Sequence, residues 1–335
     1  MPEFAFILPE LSVFGIKEKT LGERVWEELH KKTEDFDLVK AMPMDFTDST
    51  FKVRLNRSVR DKRVYIFAAP YLKPADQFFL NVQMIDASFR ADCDRINLVE
   101  TYNPWYTQDK RDVGYREAVT GEIVADAYKK AGLRRLFYFE PHSLEALDGW
   151  YRSVDPIYMA AFHARHLVDE FKDEFASGKI VVGQPDTGSK RSQHLAKALG
   201  VRLVKIGKAH DYDKAEELTA LPVLEDLSGL TIVTYDDMIR TGKTALETST
   251  SAKNAGAEKV IYVATHPGIY NPEELFGSKY IDAVRCTATI PNHPIHEKLK
   301  EYDIAPFAAE IIYRKSHGMD VSGFIISQAP SYKEK

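Results

Sequence analysis

Short apolar runs separated by longer periodic stretches set the rhythm of the chain. VYIFAA (64–69), INLVETY (96–102) and LFYFE (136–140) are dense in β-branched and aromatic residues, which predicts buried strands. Between the second and third runs, REAVTGEIVADAYKKAG places Val119, Ile123, Val124 and Ala127 on one helical face. Gly132 then stands where a C-terminal cap belongs. Strand, loop, helix and strand in that order predict a crossover unit of a parallel sheet.

The second half repeats the order. IVVGQPD (180–186), VRLVKIG (201–207), LTIVTYDD (230–237) and VIYVATH (260–266) read as strands. SQHLAKALG and TALETSTSAKNAG read as helices closed by Gly200 and Gly256. Two α/β halves follow, joined near GWYRSVD (149–155), with no heptad array, low-complexity tract or short repeat. In open parallel sheets, ligands bind beyond the carboxyl ends of the strands. The polar clusters TYNPWYTQDKRD, EPHS, QPDTGSKR, GKAHDYDK and YDDMIRTGKT all fall there.

Composition narrows the classes. With 335 residues, 44% apolar and 28% charged, the chain can bury two cores of ordinary size. A net charge of -5 argues against nucleic-acid binding through a general basic surface. Two far-separated cysteines, Cys93 and Cys286, predict a reducing compartment rather than a disulfide scaffold. No apolar run approaches the roughly 18 residues of a membrane span. The first residues also lack the basic segment of a signal peptide. A cytoplasmic protein with no membrane partner is expected.

YDDMIRTGKT carries the sharpest chemistry. Gly-Lys-Thr also ends nucleotide P-loops, but that motif needs a glycine five positions before Gly242, where Asp237 stands. Two readings remain. Backbone N–H groups from Thr241 to Thr244 can cradle a phosphate at a helix N-terminus, while Asp236 and Asp237 hold sugar hydroxyls. An ordinary strand–helix turn with an acidic cap explains the same pattern. PDTGSKR (185–191) is either a solvated turn or a phosphate loop. In the second case Gly188 admits a ligand, Lys190 and Arg191 add charge, and Asp186 suits a magnesium ion. His142 in EPHS is a hydrogen-bonded structural histidine, or a metal or phosphate ligand if Asp186 lies near it. TQDKRD (107–112) is a solvated loop, or a place where Lys110 and Arg111 meet nucleotide phosphates.

In sequence order, YNPWYTQDKRD, GEIVADAYKKAG, EPHS, PDTGSKR, YDDMIRTGKT, VATH and TATIP resemble the motifs of ribose-phosphate diphosphokinases (phosphoribosyl pyrophosphate synthetases). The resemblance runs from about Phe46 to Phe324. It implies an α/β fold of two similar phosphoribosyltransferase-type, Rossmann-like domains, each a mainly parallel sheet flanked by helices. Residues 1–152 would contact ATP, and residues 153–305 would carry the sugar-phosphate and pyrophosphate loops. Residues 306–335 would pack back on the first domain. The implied reaction moves the β,γ-diphosphoryl group of ATP to the anomeric hydroxyl of ribose 5-phosphate and releases AMP. Magnesium is implied, as is a homo-oligomer with ATP at a subunit interface.

Matching positions give the implied roles. Phe46, Asp48, Gln108, Asp109, Lys110 and His142 would bind ATP. Asp186, Thr187, Gly188, Ser189 and Lys190 would form the pyrophosphate loop, with His142 and Asp186 associated with magnesium. Asp236, Asp237, Arg240, Thr241, Gly242, Lys243 and Thr244 would hold the sugar phosphate. Lys208, His210 and Arg191 would be catalytic.

The chain also departs from that pattern. Thr50 stands for a glutamate, Thr107 and Lys110 for arginines, and Ala209 and His210 for two further arginines of the catalytic loop. The pyrophosphate loop is one residue short. The family's Asp-Thr-Gly-Gly-Thr becomes RTGKT, so the cradle loses one carboxylate and gains two cations. Such a change suits an acceptor with a longer phosphate chain, for instance ADP-ribose. The plainer alternative has Arg240 in solvent and Lys243 paired with a nearby acid. A third reading takes the missing arginines as the mark of a non-catalytic regulatory relative.

Overall fold

The apolar runs become the inner strands of two sheets. This computed structural model describes residues 2–68, 70–185, 190–206, 225–291 and 293–331. The chain divides into two units, one of residues 1–157, 289–291 and 304–320, the other of 158–288, 292–303 and 321–335.

The first unit runs β1 (Phe4–Pro9), α1 (Leu21–His30), β2 (Phe36–Asp45), β3 (Phe51–Leu55), β4 (Arg63–Ala68), α2 (Pro74–Arg90), β5 (Arg95–Glu100), α3 (Thr120–Ala131), β6 (Arg135–Phe139), α4 (Leu144–Trp150) and β7 (Val154–Ile157). Its sheet has the order β3-β2-β1-β4-β5-β6-β7, parallel except for the β2–β3 hairpin. Period-2 alternation sorts the side chains. Ile7, Val39, Ile66, Leu98 and Leu136 enter an aliphatic core with Leu80 and Met84 of α2 and Val124 of α3. Phe4, Phe6, Tyr65, Phe67 and Phe137 are buried outside that core. There the Phe4 ring meets Phe36 at 4.8 Å, and Phe6 stacks on Trp26 of α1 at 5.8 Å. A capping box starts α1: Glu23 N–H donates to Thr20 Oγ1 (3.2 Å), and Thr20 N–H donates to Glu23 Oε2 (3.0 Å).

The second unit runs α5 (Ala160–Glu170), α6 (Lys172–Ala176), β8 (Ile180–Gln184), α7 (Lys190–Leu199), β9 (Leu203–Lys205), β10 (Thr231–Ile239), α8 (Lys243–Asn254), β11 (Lys259–Pro267), α9 (Pro272–Gly277), β12 (Ala283–Thr287) and β13 (Leu299–Tyr302). After β13, α10 (Ala305–Ser316) packs beside α1 in the first unit, and α11 (Val321–Ser327) contacts α5 in the second. The sheet order is β13-β12-β11-β10-β8-β9, parallel throughout. Val233, Tyr235, Ile261 and Val263 pack with α5 and α7, while Tyr262 and Ala264 pack with Ala245 of α8 and with α9.

Connections leave β8 in opposite directions, to β9 on one side and towards β10–β13 on the other. The carboxyl ends of β8 and β10 therefore flank a topological switch point, where open α/β sheets open a crevice. Gly183 fits β8 into this sheet, since a Cβ there would lie 2.3 Å from Ile206 Cδ1 and 3.0 Å from Ile232 Cγ2.

The expected α/β class with two mainly parallel sheets is the one observed. The chief local difference is β10, which continues through both aspartates to Ile239 instead of ending at Asp237. Among the described residues, no helix is long and apolar enough to cross a membrane.

Candidate active site

In the second unit, β10 carries Asp236 and Asp237 into the turn Arg240–Gly242, and α8 begins at once. Gly242 is the N-cap of α8, with a left-handed φ of 83°, and as a glycine it has no side chain of its own to cap the helix. Only glycine takes this φ without strain, and it lets the chain turn sharply between sheet and helix. Thr241 Oγ1 accepts from Lys243 N–H at 3.4 Å, and Arg240 O accepts from Tyr270 N–H at 2.9 Å. The first turn of α8 thus carries its positive helix end at the carboxyl edge of the sheet.

The two acids are supported from different elements. Asp237 is 4% exposed, and Arg191 near the start of α7 approaches it, Nη2 to Oδ2, at 3.5 Å. Asp236 Oδ1 accepts from Asp237 N–H at 2.9 Å, and Asp236 Oδ2 accepts from Tyr262 Oη at 3.3 Å. Its side chain keeps some surface but is densely surrounded. That burial first, and the Asp237 carboxyl second, raise Asp236 well above the usual carboxylate range. This crowded pair of carboxylates, with the Arg191 guanidinium and the Tyr262 phenol beside it, offers oxygen acceptors for hydroxyl groups or for a hard cation.

Arg240, Thr241 and Lys243 are exposed and Thr244 is half-buried. Arg240 is exposed, as the plainer alternative expects, and among the described residues no carboxylate pairs with it or with Lys243. Lys190 is the exposed first residue of α7. Asp186, Thr187, Gly188, Ser189, Lys208 and His210 lie outside the described residues.

The first unit carries the positions assigned to ATP. Phe46 and Asp48 sit in the β2–β3 hairpin, and Phe46 is 52% exposed. Asp48 Oδ1 accepts from Thr50 Oγ1 at 2.7 Å and from Thr50 N–H at 3.1 Å. The Thr50 hydroxyl, then its amide, holds the Asp48 carboxyl below the usual range. Gln108, Asp109 and Lys110 follow the short turn Pro104–Thr107 beyond β5. Gln108 N–H donates to Trp105 O (3.0 Å), and Gln108 O accepts from Gly121 N–H (3.3 Å) at the start of α3. Exposed His142 lies beyond β6, two residues after Glu140, which is buried with a left-handed φ of 41°. So bulky a residue in that conformation marks a constrained strand end.

Comparisons with known proteins cover both units. Residues 12–132 match the N-terminal domain of ribose phosphate pyrophosphokinase, and residues 153–301 match the phosphoribosyl transferase domain. A ribose-phosphate pyrophosphokinase of Helicobacter hepaticus is 30% identical over 293 residues, spanning 86% of this chain and 91% of that protein. This chain belongs to the ribose-phosphate pyrophosphokinase family. The Thermotoga maritima pyrophosphokinase is 27% identical over 93% of this chain and 97% of its own. The crystal structure of phosphoribosylpyrophosphate synthetase from Mycobacterium smegmatis aligns with a TM-score of 0.75 and 26% identity, over 94% of this chain and 99% of that one.

Within this pyrophosphokinase fold, two site features escaped the sequence reading. Tyr262 reaches Asp236 from β11, and Glu100 lies buried beneath the loop that leads to Gln108. Each had a visible signal, a polar group set inside an otherwise apolar strand run.

Proposed function

We propose that this enzyme transfers the β,γ-diphosphoryl group of ATP to the anomeric hydroxyl of ribose 5-phosphate, giving phosphoribosyl pyrophosphate and AMP. The observation that carries the reading is the junction of β10 with α8. Two adjoining carboxylates lead directly into a helix start whose N-cap is a glycine, at a switch point of the sheet. Asp236 and Asp237 hold the ribose hydroxyls, and the first turn of α8 with Thr241 and Thr244 receives the 5-phosphate. Arg191 fixes the orientation of Asp237 and adds positive charge beside the transferred phosphates. No protein nucleophile is needed, because such a transfer depends on positioning and charge neutralisation.

Magnesium fits this donor set. The Asp236 and Asp237 carboxylates crowd one another, and hard oxygen donors suit Mg2+. When bound, the ion supplies charge neutralisation on the polyphosphate. Cytoplasmic location and homo-oligomeric assembly belong to the same proposal, supported by the free cysteines and the family relationship.

A second reading rests on Arg240 and Lys243, two exposed cations beside the helix start with no acidic partner among the described residues. They suit an acceptor with a diphosphate in place of the monophosphate, such as ADP-ribose. One assay addresses both readings: protein, magnesium and ATP, with ribose 5-phosphate or ADP-ribose supplied in parallel, scoring AMP release and sugar product mass. AMP with diphosphorylated ribose 5-phosphate supports the first reading. No AMP with either acceptor overturns both. In Arg240→Asp with Lys243→Gly, the extended-acceptor reading predicts that kcat/KM for ADP-ribose falls by about 10-fold or more relative to ribose 5-phosphate. An unchanged ratio removes it.

A further inference from the structure

The geometry points to a zinc site built by Cys286, His293 and Glu301 on the edge of the second sheet, apart from the β10–α8 junction. Strand register creates half of it. Cys286 of β12 and Glu301 of β13 are direct partners in a parallel pair, so their side chains leave the sheet side by side. The β12–β13 connection then returns His293 over the same spot, with Nε2 against Glu301 Oε2. The three ligand atoms lie within 4.8 Å of one another. Tetrahedral zinc holds such atoms roughly 3.6 Å apart, so the His293–Glu301 contact has to open while both close on the Cys286 thiol by about 1 Å, within reach of a loop histidine and a partly exposed glutamate.

The chemistry of the set selects the cation. A thiolate, an imidazole and a carboxylate are a mixed set that suits borderline-soft Zn2+, whereas Mg2+ takes oxygen ligands. The magnesium of the diphosphoryl transfer is therefore a poor match here. Three protein ligands leave one position for water. Cys286 is free and fully buried, and among the described residues its Sγ makes one hydrogen-bond contact, a long one of 4.0 Å to Lys300 O. An inert core thiol needs no histidine and carboxylate converging on it. The competing explanation is a His293–Glu301 ion pair that lies beside the thiol by chance. β13 is the outermost strand of its sheet, so the ion would staple an edge strand and its connection to the interior.

The test uses the tag-free full-length protein, stripped with a chelator, in excess magnesium and without nucleotide. It is titrated with zinc alone, and with Co2+ for absorption. The expected results are one zinc per chain and a thiolate-to-cobalt charge-transfer band. Cys286→Ser should abolish the band, and His293→Ala and Glu301→Gln should each weaken zinc binding by about 10-fold or more. The two last variants sit at the partly exposed side of the cluster, so they report even if the serine variant folds poorly. The proposal is overturned if the wild-type chain takes up no zinc, if cobalt binds without the band, or if neither His293→Ala nor Glu301→Gln changes the affinity.

Discussion

A carboxyl can be a structural liability in one charge state and a keystone in the other, and Glu100 shows both. It ends β5 at 2% exposure. Its Oε1 accepts from Asn81 Nδ2 (3.2 Å), Asn103 Nδ2 (3.1 Å) and Tyr128 Oη (3.3 Å), while Oε2 has no hydrogen-bond partner. Asn103 in turn accepts from Trp105 N–H at 3.1 Å and so fixes the turn that carries Gln108. Burial pushes the Glu100 carboxyl up to about 8, against the opposing pull of Tyr106, Asn103, Tyr128 and Asn81. The folded protein therefore holds a proton that the unfolded chain releases near its ordinary value of 4.5. Stability from this group is complete below that value and is lost as pH rises towards about 8. Glu100→Gln keeps the acceptor and removes the titration. Its stability relative to wild type should rise through that window by an amount on the order of a few kcal/mol, then level off. Urea unfolding at several pH values reads this directly, and a pH-independent difference would reject it.

At the scale of elements, legibility followed burial on both faces. β4, β5, β6, β8 and β11 are almost wholly buried, so they appear in the sequence as mainly apolar runs. The helices closed by Gly132, Gly200 and Gly256 were equally legible, and each of these glycines has positive φ. Other elements signal differently. β2 mixes buried and half-buried positions over ten residues and hides a proline, and β13 is an edge strand of four residues. α1 was not among the elements read from the sequence, although the capping box Thr20–Glu23 marks its start. The site divides in the same way. Acids, glycine and hydroxyls at the end of β10 follow from local order along the chain. Arg191 beside Asp237 and Tyr262 beside Asp236 follow from sheet order, which brings β8 and β11 to either side of β10. Long-range pairing of that kind leaves no local pattern to read.

At the scale of the whole molecule, chain order and folding unit part company, because the first unit is completed by a helix that follows the second unit's last strand. α10 buries Phe307, Ile311 and Ile312 at 5%, 2% and 0% exposure. It is tied to the first unit by Glu310 to Lys32 (2.7 Å), Lys315 to Asp155 (2.9 Å) and Ser316 O to Arg63 Nη1 (3.4 Å). Losing the burial of three large side chains costs on the order of 5 kcal/mol, comparable to the net stability of a domain. The surface ion pairs add little to that. A chain ending at Asp303 keeps every candidate site residue but lacks α10. All three tryptophans, Trp26, Trp105 and Trp150, lie in the first unit, so selectively excited tryptophan emission reports on that unit. The truncated chain should unfold at a clearly lower denaturant midpoint by tryptophan emission, or show exposed tryptophan from the start. A chain ending at Asp320 keeps α10 and loses α11 with the residues after it, a segment assigned to the second unit, where α11 contacts α5. Its tryptophan transition should match the full-length protein. If ending the chain at Asp303 leaves that transition unmoved, α10 is not part of the first unit's cooperative core.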